Sequence, residues 1–361
     1  MKESSSRLGL CLSGGGITGA MYSVGCLAAI EDACDGFSAN DFGVFIGSSS
    51  GASVAVPLAG GLGAQRIYRA LLDPADDFFA LQRHHLLRFD VPEWKRVLRS
   101  AVGAGRRLAT SVASRPLELD VWQELERFTD SIPAGIFAMD AYERFFADFM
   151  KRRGIPSDFE RFQKKLVLVA SDLDEGERAV FGQGALLTVP VARAVAAASA
   201  TPPLFAPVRI GRRDYIDGGI GEVANVDVAV ELGCDFVLVI NPMVPIRSDI
   251  DVADVPTGHG QMKRVRDKGM LWVYAQAWRM RSAPRFKRGL ERFVAAHPRV
   301  DVQVLEPPRD DATLFLHSPM NFAARRTILE HAYRLTTHTL REPTSSLRRG
   351  LERRGVRFRS S

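Results

Sequence analysis

Leu8-Gly9-Leu10-Cys11-Leu12-Ser13-Gly14-Gly15-Gly16-Ile17-Thr18-Gly19 is an apolar run that breaks into glycines. Behind the break, Ile17, Met21, Val24 and Ala28 recur at helical spacing. A strand, a glycine turn and a helix in that order begin an α/β layer. The same order repeats at 44–46, a strand, then Gly47-Ser48-Ser49-Ser50-Gly51, then a helix over 50–59. Further on, 166–170 and 236–240 are continuous apolar runs, which suit strands buried on both faces. Residues 178–181 are placed as a hairpin partner of 166–170, and 208–210 and 214–216 flank Gly211 as a second hairpin. Helices are expected at 189–198, 226–232 and around Ala324, Ile328, Ala332 and Leu335. Strands alternating with helices predict an α/β fold with a largely parallel central sheet.

A Gly-x-Ser-x-Gly turn between strand and helix lifts its central serine into reach of a substrate. A glycine-rich turn beside it offers the backbone N–H groups that a developing oxyanion needs. Ser49 is therefore the candidate nucleophile, and Gly14, Gly15 and Gly16 the candidate oxyanion hole. A serine needs a base. None of the seven histidines, 84, 85, 259, 297, 317, 331 and 338, falls at the end of a clear core strand. Asp217, in Tyr215-Ile216-Asp217-Gly218-Gly219, follows a strand and is the better partner. Gly14-x-Gly16-x-x-Gly19 also fits a dinucleotide fingerprint, but its second strand should end in an acidic residue. Here that strand runs into the serine turn, so the oxidoreductase reading loses its confirming residue. No Gly-Lys-Ser/Thr follows the glycines, which excludes a phosphate-binding P-loop.

No stretch is long and apolar enough for a membrane span, and the first residues show no apolar signal core. The four cysteines lack metal spacing and read as packed, reduced thiols. A cytoplasmic protein, peripheral at membranes, is the expectation. The net charge of +6 is segregated: 83–115 carries +6, 260–295 carries +8 and 341–361 carries +5. That pattern points to an anionic partner, a membrane surface ahead of nucleic acid. The stretch 70–160 is read as a basic helical insertion in which Trp94, Val97, Leu98 and Ala101 share a face. Part of 83–115 within it is the expected membrane contact. The stripe Met262, Val265, Val273, Ala277 and Met280 is assigned to core packing instead. Residues 243–260 are expected to be a loop, and 343–361 a mobile basic tail.

Four features occur in order: Ser13-Gly14-Gly15-Gly16-Ile17-Thr18-Gly19-Ala20, the serine turn, Ala198-Ser199-Ala200-Thr201-Pro202-Pro203-Leu204-Phe205-Ala206-Pro207, and Asp217-Gly218-Gly219. Together they resemble the patatin-like phospholipase family across about 8–242. The resemblance implies a three-layer α/β/α fold. It also implies a hydrolase domain over 1–342 and a Ser49–Asp217 dyad, without histidine, that cleaves lipid acyl esters of the phospholipase A or lysophospholipase kind. The residues of the oxyanion hole would be Gly14, Gly15 and Gly16. No metal or other cofactor is implied, and Asn225 would be structural. One departure stands out: the family usually has Arg or Lys where this chain has Thr18. A cation from Arg193 or from the basic insertion is the expected substitute. A lipid-binding homologue without catalysis is the rival reading.

Overall fold

The computed structural model describes residues 7–73, 75–79, 83–86, 88, 94–99, 102–103, 132–219, 224–247, 264–311, 313–342 and 344–359. A mixed, mostly parallel sheet runs through its centre. It contains β1 (Leu8–Leu12), β3 (Val44–Ser48), β4 (Lys165–Asp172), β5 (Glu177–Phe181), β6 (Val208–Ile210), β7 (Arg213–Asp217), β8 (Phe236–Ile240) and β9 (Asp301–Leu305). Strands β4, β3, β1, β8 and β9 lie side by side and parallel. Strands β5 and β7 pair antiparallel with β4, and β6 pairs antiparallel with β7. Gly211, at φ 63°, turns the β6–β7 hairpin in the left-handed conformation that suits glycine.

Alternation along the strands builds two cores. Leu10, Leu12, Phe45, Leu168, Leu238 and Ile240 face one side, where they meet α1 (Gly16–Ala33), α2 (Ser50–Ala59), α4 (Asp140–Arg152), α5 (Val191–Ala198) and α8 (Arg325–Arg341). Helix α3 (Ala64–Leu72) packs against α1 on that side through Ile67 and Leu71. Cys11, Val44, Ile46, Val167, Val169, Val237 and Val239 face the other, against α6 (Val226–Glu231) and Phe286 of α7 (Met270–Ala296). This is a three-layer α/β/α arrangement. Helices α1 and α8 approach so closely that a side chain on Gly25 would begin 2.6 Å from the Leu329 carbonyl.

Three expectations need correction. The insertion is narrower than 70–160: Tyr142, Phe145, Phe146, Phe149 and Met150 of α4 are buried in the first core. Aromatic residues at helical spacing served the interior there. In the part of 83–115 that is described, Lys95, Arg96 and Arg99 are exposed, and Leu98 is 66% exposed. Ala101 and residues 104–131 lie outside the described residues.

The stripe at 265–280 is not core. Val273, Trp278 and Met280 are 45%, 46% and 59% exposed, and Met270 is 78% exposed. Met262 falls outside the described residues, as do 248–260 of the expected loop.

The tail is packed rather than mobile. Helix α9 (Ser346–Glu352) buries Leu347 and Leu351 in the first core, and β10 (Arg357–Phe358) pairs antiparallel with β2 (Cys34–Asp35). Its basic charge is spent internally: Arg353 and Arg354 hold Asp301 at 2.6 and 2.9 Å. The four cysteines are buried free thiols.

Because Leu351 is 0% exposed, Leu351→Ala is expected to destabilise the protein by about 2–4 kcal/mol, as buried leucine truncations do. Denaturant unfolding checks this; an unchanged midpoint would restore the mobile tail.

Candidate active site

The site forms at the carboxyl ends of β1 and β3, where parallel α/β sheets place their functional turns. Ser49 is the junction between β3 and α2. Its φ of 54° with ψ of −135° is an uncommon conformation for a side-chain-bearing residue and is the sharp turn that the two glycines permit. A side chain on Gly47 would begin 2.6 Å from the Ala52 Cα, and one on Gly51 2.2 Å from the Leu12 carbonyl. Glycine at both positions is thus a steric requirement. The flanking Ser48 and Ser50 hydroxyls have no hydrogen-bond partner among the described residues. Neither is needed to hold the turn.

The first glycine turn stands directly against this elbow. A side chain on Gly14 would begin 2.7 Å from the Ser49 Oγ. Gly15 and Gly16 adopt φ of 136° and 67°, and Gly16 is also crowded by the Pro319 carbonyl. Among the described residues, none accepts a hydrogen bond from the N–H groups of Gly14, Gly15 or Gly16. Thr18 is buried, and its hydroxyl donates to the Gly15 carbonyl at 3.2 Å. It stiffens the turn and adds no charge.

Strand β4 sets the spacing of Ser49 and Asp217. It pairs with β3 as far as Ser48 opposite Val169, and the next position, Ala170, faces Asp217 of β7. Since β5 takes the other edge of β4, β7 continues where β3 ends. The Asp217 carboxylate accepts hydrogen bonds from the Thr201 hydroxyl and, at 2.8 Å, from the Gly219 N–H. Burial pushes its pKa above the ordinary carboxylate value, while bonds from Ser49, Thr201 and Gly219 pull the other way. Residues 198–201 tie the two halves together. The Ser49 N–H donates to the Ala198 carbonyl at 2.9 Å, the Ser199 hydroxyl to the Ser49 carbonyl at 3.1 Å, and the Asp217 N–H to the Ala200 carbonyl at 3.0 Å.

A cavity of about 740 Å³ opens over Ser49 and Asp217. Its walls are mostly apolar, including Met21, Val24, Leu71, Phe79, Phe149 and Leu204. No histidine among the described residues lines it; His259 is outside them. Arg193 does not serve the site. It pairs with Glu143 and donates to the Arg209 carbonyl at 2.6 Å. Asn225, buried at φ 62°, starts α6 and fits a structural role. Sequence reasoning missed the work of Ser199 and Thr201, although both stand in the stretch 198–207 that it singled out. It also missed that Trp272, Ala275, Trp278 and Arg279 of α7 form a cavity wall.

A family model described as patatin-like phospholipase matches residues 10–230. Among solved structures, the chain is similar to VipD from Legionella pneumophila, at 14% identity and a TM-score of 0.36, over 92% of this chain and 66% of that one. It is similar to the type III effector protein ExoU, at 16% identity and a TM-score of 0.38, over 96% of this chain and 54% of that one. A further match is full-length ExoU with SpcU, from the type III secretion system of Pseudomonas aeruginosa. There the identity is 16% and the TM-score 0.29, over 79% of this chain and 53% of that one. The chain thus spans between half and two thirds of those proteins.

A carboxylate whose pKa is raised by folding costs stability whenever the pH is high enough to ionise it. Asp217→Asn, which removes the charge and keeps the shape, is therefore expected to hold or raise the melting temperature at neutral pH. Thermal unfolding at pH 7.5 tests this, and a fall of several degrees would mean that the ionised group supports the fold.

Proposed function

The chain belongs to the patatin-like phospholipase family, and on that footing we propose that it is a serine acyl hydrolase acting on lipid esters through Ser49 and Asp217. The observation that carries this reading is the pairing of Ser49, at a strained strand–helix turn, with a buried Asp217 in one cavity that no described histidine lines. In the mechanism we infer, Asp217 takes the proton of the Ser49 hydroxyl as its oxygen attacks the ester carbonyl. The tetrahedral oxyanion accepts hydrogen bonds from the N–H groups of Gly14, Gly15 and Gly16. Asp217 then gives the proton to the departing alcohol, leaving an acyl ester on Ser49. A water molecule, deprotonated by Asp217, releases the fatty acid and regenerates the serine. A carboxylate with a raised pKa is a stronger base than a solvated one, and burial raises that of Asp217. The acyl chain would lie among Met21, Val24, Leu71 and Phe79. The hydrolase domain we assign runs to residue 342, with 344–359 packed onto it.

The substrate of such an enzyme sits in a membrane. No described helix is long and apolar enough to span one, so access would be from the surface. We place the contact on α7 rather than on the insertion. Met270, Tyr274 and Trp278 line the cavity and are also exposed, and Val273 and Met280 are exposed beside them. Arg264, Arg266 and Arg281 of the +8 segment are exposed and lie close to these residues in sequence. Apolar and aromatic residues flanked by cations suit the interface of an anionic bilayer.

A fluorophosphonate probe should label the wild type and leave Ser49→Ala unlabelled. Asp217→Asn should lower hydrolysis of a p-nitrophenyl acyl ester about 10³-fold or more. Its loss should remove the acidic limb of the pH–rate profile, which is displaced above the ordinary carboxylate range. Labelling that persists in Ser49→Ala, or no labelling of the wild type, would overturn the dyad; the latter is the outcome for a lipid binder without catalysis.

Sedimentation with phosphatidylglycerol vesicles should exceed that with phosphatidylcholine and weaken in salt, since screening sets in within about 10 Å at 0.1 M. Combining Val273→Ser, Met280→Ser and Arg281→Gln should reduce it several-fold. A larger loss from Lys95→Gln, Arg96→Gln and Arg99→Gln would return the contact to the insertion. Equal binding to both lipids would remove charge as the driver.

A further inference from the structure

The Asp217 carboxylate is held at both oxygens. The Thr201 hydroxyl donates to Oδ2, and the Gly219 N–H donates to Oδ1 at 2.8 Å. The threonine is itself pinned through its backbone. Its N–H donates to the Ser199 carbonyl at 2.9 Å, and its carbonyl accepts the N–H groups of Leu204 and Phe205, each at 3.1 Å. Its neighbour Ala200 takes the Asp217 N–H at 3.0 Å. Threonine is stiff at χ1, so a pinned backbone also aims the hydroxyl.

No charged side chain shares this task. Among the described residues, the other titratable side chains lining the cavity are Tyr142, Lys268, Tyr274 and Arg279. None of them is among the groups that shift Asp217: burial disfavours its charged form, and bonds from Ser49, Thr201 and Gly219 favour it. On β4 the residue opposite Asp217 is Ala170, and Asp172 beyond it is tied to Arg213 at 3.0 Å. Helix α2 has no titratable side chain, and on α5 Arg193 pairs with Glu143. Of the two side-chain donors, Ser49 gives up its proton in the reaction we infer. Thr201 is the one that keeps its own.

We propose that Thr201 is a positioning residue of the reaction, whose hydroxyl keeps Asp217 ionised and turned toward Ser49 in the resting enzyme. A buried carboxylate without such a donor holds a proton to higher pH and cannot then accept the one from Ser49. The hydroxyl serves the second half of the cycle as well. It has one proton and two acceptor lone pairs, and the Ser199 carbonyl oxygen stands 3.4 Å from it. Once Asp217 carries the Ser49 proton, the threonine proton turns to that carbonyl, and the threonine oxygen is free to accept from the new carboxylic acid. The proton moves from Ser49 to Asp217, and Thr201 changes only the direction in which it donates. The proposal rests on the dyad reading for the role of Asp217, but the bond from Thr201 can be tested without turnover.

The full chain is isotopically labelled at the side-chain carboxyl carbon of aspartate and titrated by NMR, with the Asp217 resonance identified as the one that Asp217→Asn removes. Its midpoint is expected to rise by roughly one to two pH units in Thr201→Val, the size of a hydrogen bond to a charged group, and to return in Thr201→Ser. In the active enzyme, the acidic limb of kcat/KM should move up by the same amount in Thr201→Val. The loss should then be roughly tenfold or more below the shifted limb and small above it, with Thr201→Ser restoring the limb. Where Thr201→Val impairs folding, Thr201→Ala gives the same reading. A midpoint that stays in place in the folded variant lacking the hydroxyl overturns the proposal. So does an activity loss of equal size at every pH, which a merely structural role would give, or a serine variant that leaves the limb displaced. If the wild type neither hydrolyses esters nor reacts with a fluorophosphonate, the dyad reading fails, and the Asp217 midpoint still decides whether Thr201 holds that carboxylate ionised.

Discussion

Four residues in sequence, Ala198 to Thr201, hold the site together. Their carbonyls take the N–H groups of Ser49 and Asp217, and their hydroxyls hold the Ser49 carbonyl and the Asp217 carboxylate. Ser49 and Asp217 come from strands that are not paired with each other, and β4 separates the segments that carry them in sequence. Without the 198–201 crossing, Ser49 would have only its own turn to fix it, at a φ that few non-glycine residues hold. The end of α5 supplies the first half of the crossing: the carbonyls of Val195 to Ala197 are taken by the N–H groups that follow, and the Ala198 carbonyl is left to take the Ser49 N–H. The two residues after Ser199 then hold Asp217, so one short segment serves as the template for both candidate residues.

The strands and the elbow were legible because their signals are local. Residues 8–12, 44–46 and 236–240 are apolar runs closed by turn residues, and each lies in a strand, the second of which continues to Ser48. The turns that carry Ser49, Asp217 and the glycines were legible through the same locality, since each is defined within a few residues. The β4–β5 and β6–β7 hairpins could be read for the same reason. Their proximity to one another is another matter. It depends on the register of β4 against two different strands, and no window of sequence contains that.

Errors arose where one pattern serves two environments. The aromatic residues of α4 and the apolar stripe of α7 have similar helical spacing, yet Phe146 is 0% exposed and Met280 is 59% exposed. Spacing says that a helix has an apolar face; only the tertiary packing says whether that face is covered. The tail misled for a related reason. Arginine-rich sequence usually means solvation, but Asp301 at the sheet edge and buried Leu347 and Leu351 gave these residues partners far away in the chain. β9 was passed over because its alternation, with Gln303 inside, is too weak to stand out from a loop.

Helix α7 belongs to both layers. Its first turns wall the cavity, while Phe286, Leu290 and Phe293 near its end pack against the second core. Pro284 falls between these two stretches. A proline inside a helix deletes one backbone hydrogen bond and crowds the preceding turn, so bending is cheaper there than elsewhere along the rod. The helix is in effect an oar with its rowlock at residue 284. The inboard end is fixed by the sheet, and the blade, carrying Trp272, Trp278 and Arg279, is moored by Gln276 to the backbone of Ile246. Any tilt about residue 284 would have to carry that loop with it, so this cavity wall and the loop form one piece, separate from the β-sheet beneath Ser49.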